Sequence, residues 1–208
     1  WRKFSEHISV DLEKIISGIR LRNTHKNLML PGLGVGGYCL TKDPLFGELS
    51  AKKIFNTNMK FNFSTSAVKT NTKMLNGKVK KLLEINKMKK KKVLLFGLSY
   101  KADVDDLRHS PALSMAYSLK KDKHEIYFFD NFIKKDFEGI KKLKNLNRIN
   151  SFDLIIFAVN HGDFKKINFN NLKLNKKTII YDANLVLTSE QQRFMQKNFE
   201  HYYKIGKN

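Results

Sequence analysis

The second half of this 208-residue chain is punctuated by short, nearly continuous apolar runs. Lys92-Val93-Leu94-Leu95-Phe96-Gly97-Leu98 is the first, and Glu125–Asp130, Asp153–Val159 and Thr178–Asp182 follow it. Runs of this length without polar alternation suit strands covered on both faces, the habit of parallel sheets. Between the first two, Ser110-Pro111 opens a helical stretch over Ala112–Leu119, with proline at an allowed first-turn position. Strands alternating with helical segments predict βαβ units and a doubly wound, Rossmann-like parallel sheet.

The first half reads differently. Ile8, Val10, Leu12, Ile15, Ile16 and Ile19 recur near helical spacing through a polar background. Asp43-Pro44 predicts a helix start, aspartate as N-cap and proline at the first helical position, with Leu45, Phe46, Leu49 and Ile54 as its apolar face. Ser64 to Ile85 has no proline and carries Val68, Met74, Leu75, Val79, Leu82 and Leu83, which predicts one long helix despite Gly77 in its middle. A lysine-rich stretch around residues 87–92 marks the boundary. The expected organisation is α/β: a helical region over 1–88, then a sheet domain over 89–208.

Bulk properties narrow the partners. Forty Lys+Arg against 19 Asp+Glu leave a net charge of +21. Such a balance favours anionic partners, but the lysines are spread along the chain and no nucleic-acid motif accompanies them, so a solvated basic surface is expected and nucleic-acid binding is not. No apolar run is long enough to span a bilayer and no secretory pattern opens the chain. A single cysteine excludes an intrachain disulfide. No membrane association is expected, and a cytoplasmic location is the expected default.

That cysteine closes a glycine-rich run, Pro31-Gly32-Leu33-Gly34-Val35-Gly36-Gly37-Tyr38-Cys39-Leu40-Thr41-Lys42-Asp43-Pro44. Four glycines in six residues permit φ > 0 and close approach of backbone to a ligand, and successive N–H groups can form an anion-binding concavity. Cys39 beside Lys42 reads as an exposed nucleophile, because positive charge and backbone N–H groups favour the thiolate. Spacing alone leaves a structural thiol equally open. Asp43 reads as a cap, and also as a group able to orient water or a base near Cys39. Gly97-Leu98-Ser99-Tyr100-Lys101 follows a strand, where open α/β sheets bind ligands, yet lacks the later glycines of a dinucleotide fingerprint. Within Asp103–Pro111, Arg108 offers a fork for phosphate or carboxylate, held by the neighbouring aspartates. His109 and His161 lack metal-ligand spacing and read as surface or loop histidines, so no metal is expected.

Two segments together carry a resemblance. Gly34-Val35-Gly36-Gly37-Tyr38-Cys39-Leu40-Thr41-Lys42-Asp43-Pro44 resembles the catalytic cysteine loop of the UDP-glucose/GDP-mannose dehydrogenase family. The stretch from Phe96-Gly97-Leu98-Ser99-Tyr100-Lys101 through Asp105-Asp106-Leu107-Arg108-His109-Ser110-Pro111-Ala112-Leu113 resembles the signature of its C-terminal domain. The resemblance implies NAD-dependent oxidation of the C6 hydroxyl of a UDP-sugar to a carboxylate. It implies that Cys39 forms a thiohemiacetal and then a thioester, and that Asp43 helps position or activate water. It places Gly34, Val35, Gly36, Gly37, Tyr38, Tyr100 and Lys101 at the UDP-sugar and Arg108 at NAD, and makes the long central helix a homodimer interface.

The departures carry expectations too. The family's N-terminal NAD-binding domain has no counterpart here, and its catalytic lysine and asparagine precede an aromatic-Arg pair resembling Trp1-Arg2, so this stretch alone is expected to be inactive. The segment Trp1 to Asp11 is shorter than its family counterpart. Asp43-Pro44, and the lack of an arginine after Asp182-Ala183-Asn184, favour a UDP-N-acetylhexosamine over UDP-glucose. The reading from another class is a non-catalytic nucleotide-sugar-binding or dimerisation module.

Overall fold

The computed structural model describes residues 1–74, 77–84 and 91–207. Six strands form one all-parallel sheet: β1 Lys92–Phe96, β2 Glu125–Phe129, β3 Ile140–Lys142, β4 Leu154–Phe157, β5 Ile179–Asp182 and β6 His201–Lys204, in the order β3-β2-β1-β4-β5-β6. This is the doubly wound order, with the reversal between β1 and β4. Both faces are covered, as the unbroken apolar runs require. Val93 and Leu95 join one core cluster, Leu94 and Phe96 the other; Leu154 and Ile156 likewise face away from Ile155 and Phe157.

The two covering layers differ. One face packs against α7 (Pro111–Lys121), through Ala112, Met115, Ala116 and Leu119, and against Val79, Leu82 and Leu83 of α6 (Gly77–Glu84). The other lies under α8 (Ser189–Asn198) and three 3-10 turns, two of which carry Phe164 and Phe169. The expected alternation with helices therefore holds only in part. Between β4 and β5 the described residues form 3-10 turns, with aromatic side chains taking the place of a helix face.

The helical half begins with α1 (Arg2–His7), α2 (Leu12–Ile19), the single-turn α3 (Cys39–Lys42), α4 (Phe46–Lys53) and α5 (Asn62–Met74). The isoleucine periodicity is interrupted: Ser9 takes φ +57°, Asp11 caps α2, and only Leu12 and Ile16 of the series are buried. The expected apolar face after Asp43-Pro44 is outward, since Phe46, Leu49 and Ile54 are exposed. Of the long helix expected over residues 64–85, α5 and α6 account for the described residues. Positions 75, 76 and 85, and the boundary expected between 88 and 89, lie outside them.

The two halves are fastened at the last strand. Lys204 Nζ donates to Glu13 Oε2 at 2.6 Å and meets Asp11 Oδ2 at 2.9 Å. Gly206 O accepts from Leu12 N–H at 3.1 Å and from Ser5 Oγ–H at 3.2 Å.

Candidate active site

Leu33 is buried in the first core cluster, which pins the glycine-rich segment to the sheet domain. The segment then meets the loops after β1 and β5. A Cβ on Gly36 would lie 2.7 Å from Tyr100 Cβ and 2.9 Å from both His109 O and Pro111 Cδ, and one on Gly32 would lie 2.5 Å from Asn184 Oδ1. Among the glycines of this run only Gly37 uses the left-handed region, at φ +77°. The left-handed freedom that the run permits is thus used at Gly37. At Gly32 and Gly36 the missing side chain permits contact between two parts of the protein itself.

Two of the N–H groups on which the expected anion concavity would draw are engaged within the protein. Val35 N–H donates to Asn71 Oδ1 at 2.8 Å, while Asn71 Nδ2 returns a bond to Val35 O at 2.8 Å. Gly37 N–H donates to Arg108 O at 2.9 Å. These donors hold the loop's shape. Asn71 had no local signal in the sequence, since it is one polar residue among several on α5.

Cys39 is exposed at the first position of α3. Thr41 Oγ1 donates to Gly37 O at 2.6 Å, closing the turn beneath it, and Asp43 N–H donates to Cys39 O. Asp43 is not the expected N-cap: it is helical, ends α3, and its carboxylate pairs with the Lys42 ammonium. Pro44 sits in a 3-10 turn, Asp43–Leu45, that leads into α4. The Lys42 ammonium stands 4.7 Å from the Phe46 ring centroid and 5.7 Å from that of Tyr38.

The loop after β1 closes the other side. Tyr100 lies over Gly37, whose Cβ would be 3.0 Å from Tyr100 Cε2. The Arg108 guanidinium sits 5.1 Å from the Tyr38 ring centroid, and the His109 ring meets Tyr38 edge-on at 5.2 Å. Arg108 Nε donates to both Asp106 oxygens, at 3.0 and 2.9 Å. This fork holds the Asp106 carboxyl below the ordinary range and pushes the guanidinium up. Lys101 is exposed on the same loop. Cys39, Tyr38, Gly36, Gly37, Tyr100 and Arg108, distant in sequence, thus belong to one surface.

His161 corrects another expectation. It is a buried core residue, 1% exposed, at the carboxyl end of β4. Its Nε2 faces Asp130 Oδ2 at 3.2 Å and Ser99 Oγ at 3.3 Å, and its Nδ1 accepts from Asp103 N–H at 2.9 Å. Burial alone would raise the Asp130 carboxyl, but the bonds from His161 and from Leu98 and Ile133 N–H outweigh it and hold it low. Asp182, at the end of β5, goes the other way: burial pushes it up to about 6 despite bonds from Val186, Leu187 and Asn184 N–H. Among the described residues no group of three His, Cys, Asp or Glu is placed to hold a metal, and no helix is long and apolar enough to cross a membrane.

The arrangement offers an exposed thiol on a braced loop, beside two cations and two tyrosines from both halves of the chain. Comparison with known proteins adds three findings. Residues 2–73 match the central domain of the UDP-glucose/GDP-mannose dehydrogenase family, and residues 94–189 match that family's UDP binding domain. The chain is 30% identical over 197 residues to the UDP-N-acetyl-D-mannosamine dehydrogenase of Methanocaldococcus jannaschii, covering 90% of this chain and 43% of that protein. It is 28% identical over 181 residues to the enzyme of the same name from Pyrococcus horikoshii, covering 83% and 41%. The solved structure of the P. horikoshii UDP-D-ManNAc dehydrogenase superposes with a TM-score of 0.74 at 25% identity, over 99% of this chain and 46% of that one. The chain spans less than half the length of these relatives.

Proposed function

From the premise that the chain belongs to the UDP-glucose/GDP-mannose dehydrogenase family, we propose that it contributes the nucleophile and part of the substrate site of a UDP-sugar 6-dehydrogenase. The overall reaction takes a C6 alcohol and water to a carboxylate, with two NAD⁺ reduced. The observation that carries this reading is the exposed Cys39 on a loop braced against Tyr100 and Arg108 of the UDP-binding domain.

Each residue's proposed part follows from its place. The Cys39 thiolate adds to the C6 aldehyde, giving a thiohemiacetal, and it later leaves from a thioester as water releases the uronate; a thiolate suits both steps because it is nucleophilic and a good leaving group. Lys42, above the rings of Tyr38 and Phe46 and one helical turn after Cys39, pairs its ammonium with the Asp43 carboxylate. Asp43 orients the attacking water, its carboxylate held by Lys42. Gly34, Val35, Gly36, Gly37 and Tyr38 line the sugar side, and Tyr100 and Lys101 the nucleotide side. NAD supplies the hydride acceptor. The described residues do not form a dinucleotide site of their own: the loop after β1 is engaged with the cysteine loop, leaving Arg108 as the contact proposed for NAD.

The substrate class is UDP-N-acetylhexosamine or UDP-glucose, the names of the relatives favouring the former. We propose homodimerisation through α5, on which Phe63 is 94% exposed and among the described residues none is buried. The test is NADH release by the full-length gene product over a panel of UDP-glucose and UDP-N-acetylhexosamines. Two NADH per sugar, abolished by Cys39→Ser, is the expected result. Activity that survives Cys39→Ser would overturn the covalent route.

A further inference from the structure

His161 is engaged on both ring nitrogens by groups from two different loops, those after β1 and β2, and the arrangement is asymmetric. Nδ1 accepts a backbone N–H, that of Asp103 at 2.9 Å, so it carries no proton. Nε2 therefore carries the proton and donates toward Asp130 Oδ2 at 3.2 Å. Asp130 has three further donors, Leu98 N–H, Phe132 N–H and Ile133 N–H, at 2.9, 2.9 and 3.1 Å. Asp103 N–H has His161 as its partner, and Asp103 is left-handed at φ +58°, a conformation that non-glycine residues hold only when their surroundings impose it. A second tie runs between the same two loops: Gly162 N–H donates to Asp103 Oδ1 at 2.9 Å. Phe132 stacks on the imidazole at 4.8 Å, fixing its plane.

Asp103 lies midway along the loop that bears Tyr100 and Arg108. That loop is closed by Tyr100 N–H to Asp106 O at 2.9 Å and by Ser110 Oγ–H to Leu98 O at 2.6 Å, and it meets the cysteine loop through Arg108 O and Gly37 N–H. We propose that His161 is a positioning residue. Its Nδ1 lone pair holds Asp103, and through it the 99–110 loop, in the arrangement that presents Tyr100 and Arg108 to the cysteine loop. The expected effect on substrate rests on the dehydrogenase reading; the structural effect does not.

The two amide variants separate the two nitrogens. His161→Asn places an acceptor near Nδ1 and gives up the donor to Asp130; His161→Gln keeps a donor near Nε2 and gives up the acceptor for Asp103. In the full-length protein, hydrogen exchange of peptides spanning 99–110 and 33–38 is expected to speed about tenfold in His161→Gln and to stay near the parent in His161→Asn, the effect of losing one amide hydrogen bond. KM for the UDP-sugar is expected to rise by about the same factor in His161→Gln with kcat within about twofold, and to be rescued in His161→Asn. Equal behaviour of the two variants, or a milder glutamine, overturns the proposal. Faster exchange in His161→Gln, in a protein that oxidises no UDP-sugar even as wild type, would sink the dehydrogenase reading and leave the positioning role standing. If His161→Gln does not fold, His161→Asn decides alone: exchange of both peptides near the parent rate is expected, and exchange sped about tenfold overturns the proposal.

Discussion

The sheet half and the helical half of this chain treat apolar residues in opposite ways. In the sheet half, Val93, Leu94, Leu95, Phe96, Leu154, Ile156 and Phe157 are fully buried, in one or the other of the two clusters that cover the sheet. In the helical half, Phe63, Trp1, Leu21 and Met29 are 94%, 90%, 86% and 80% exposed. Burial of this kind stabilises by roughly 25 cal/mol per Å² of apolar area, so the core lies in the sheet half, with Leu33 and α6 of the helical half closing one of its faces. The helical half is fastened to the sheet at β6 and leaves these apolar side chains exposed.

The comparison breaks most visibly at paired phenylalanines. Phe96→Ala empties a fully buried position between Phe157 and Phe164, and should cost about 3–5 kcal/mol in denaturant unfolding. Phe63→Asp should leave the circular dichroism unchanged and shift sedimentation of the full-length protein toward monomer. A large loss of fold from the second variant, or none from the first, would erase the distinction. Asp182 tests the sheet half alone. Its folded pKa of about 6 lies above the ordinary value, so the folded chain binds that proton more tightly. Stability from this group is greatest at low pH and falls as pH rises from about 4 to 6, leaving a cost of about 3 kcal/mol at pH 7. Asp182→Asn should therefore gain on the parent by about that amount between pH 4 and pH 7 in unfolding titrations; a flat difference would refute it. The smallest effect is at the seam. Gly36→Ala must displace Tyr100, His109 and Pro111, costing about 1–3 kcal/mol and lowering the rate of UDP-sugar oxidation, as read by melting and NADH release together.

Legibility follows the same division. β1, β4 and β5 are readable because both their faces are buried, and β2, half-buried on one face, because its run Ile126–Phe129 is still unbroken apolar. β3 and β6 were not: they are edge strands, and Ile-Lys-Lys and His-Tyr-Tyr-Lys leave one side polar. At the site, Cys39, Tyr100 and Arg108 stand in local motifs. His161 does not, since its partners Ser99, Asp103 and Asp130 lie 62, 58 and 31 positions away. The role of the glycines was misread for a related reason. Close approach to Tyr100 and Asn184 is a property of the folded whole, whereas φ > 0 is a property of the residue.

The fastening at β6 has a temporal side. Ser5 and Gly206 touch across 201 positions of sequence, and Glu13 and Lys204 across 191. Contacts so remote pay their loop-closure entropy late and slow folding. During synthesis the cysteine loop emerges long before the strand that anchors α1 and α2. The fastening of α1 and α2 therefore forms only after nearly all of the sequence described here has left the ribosome.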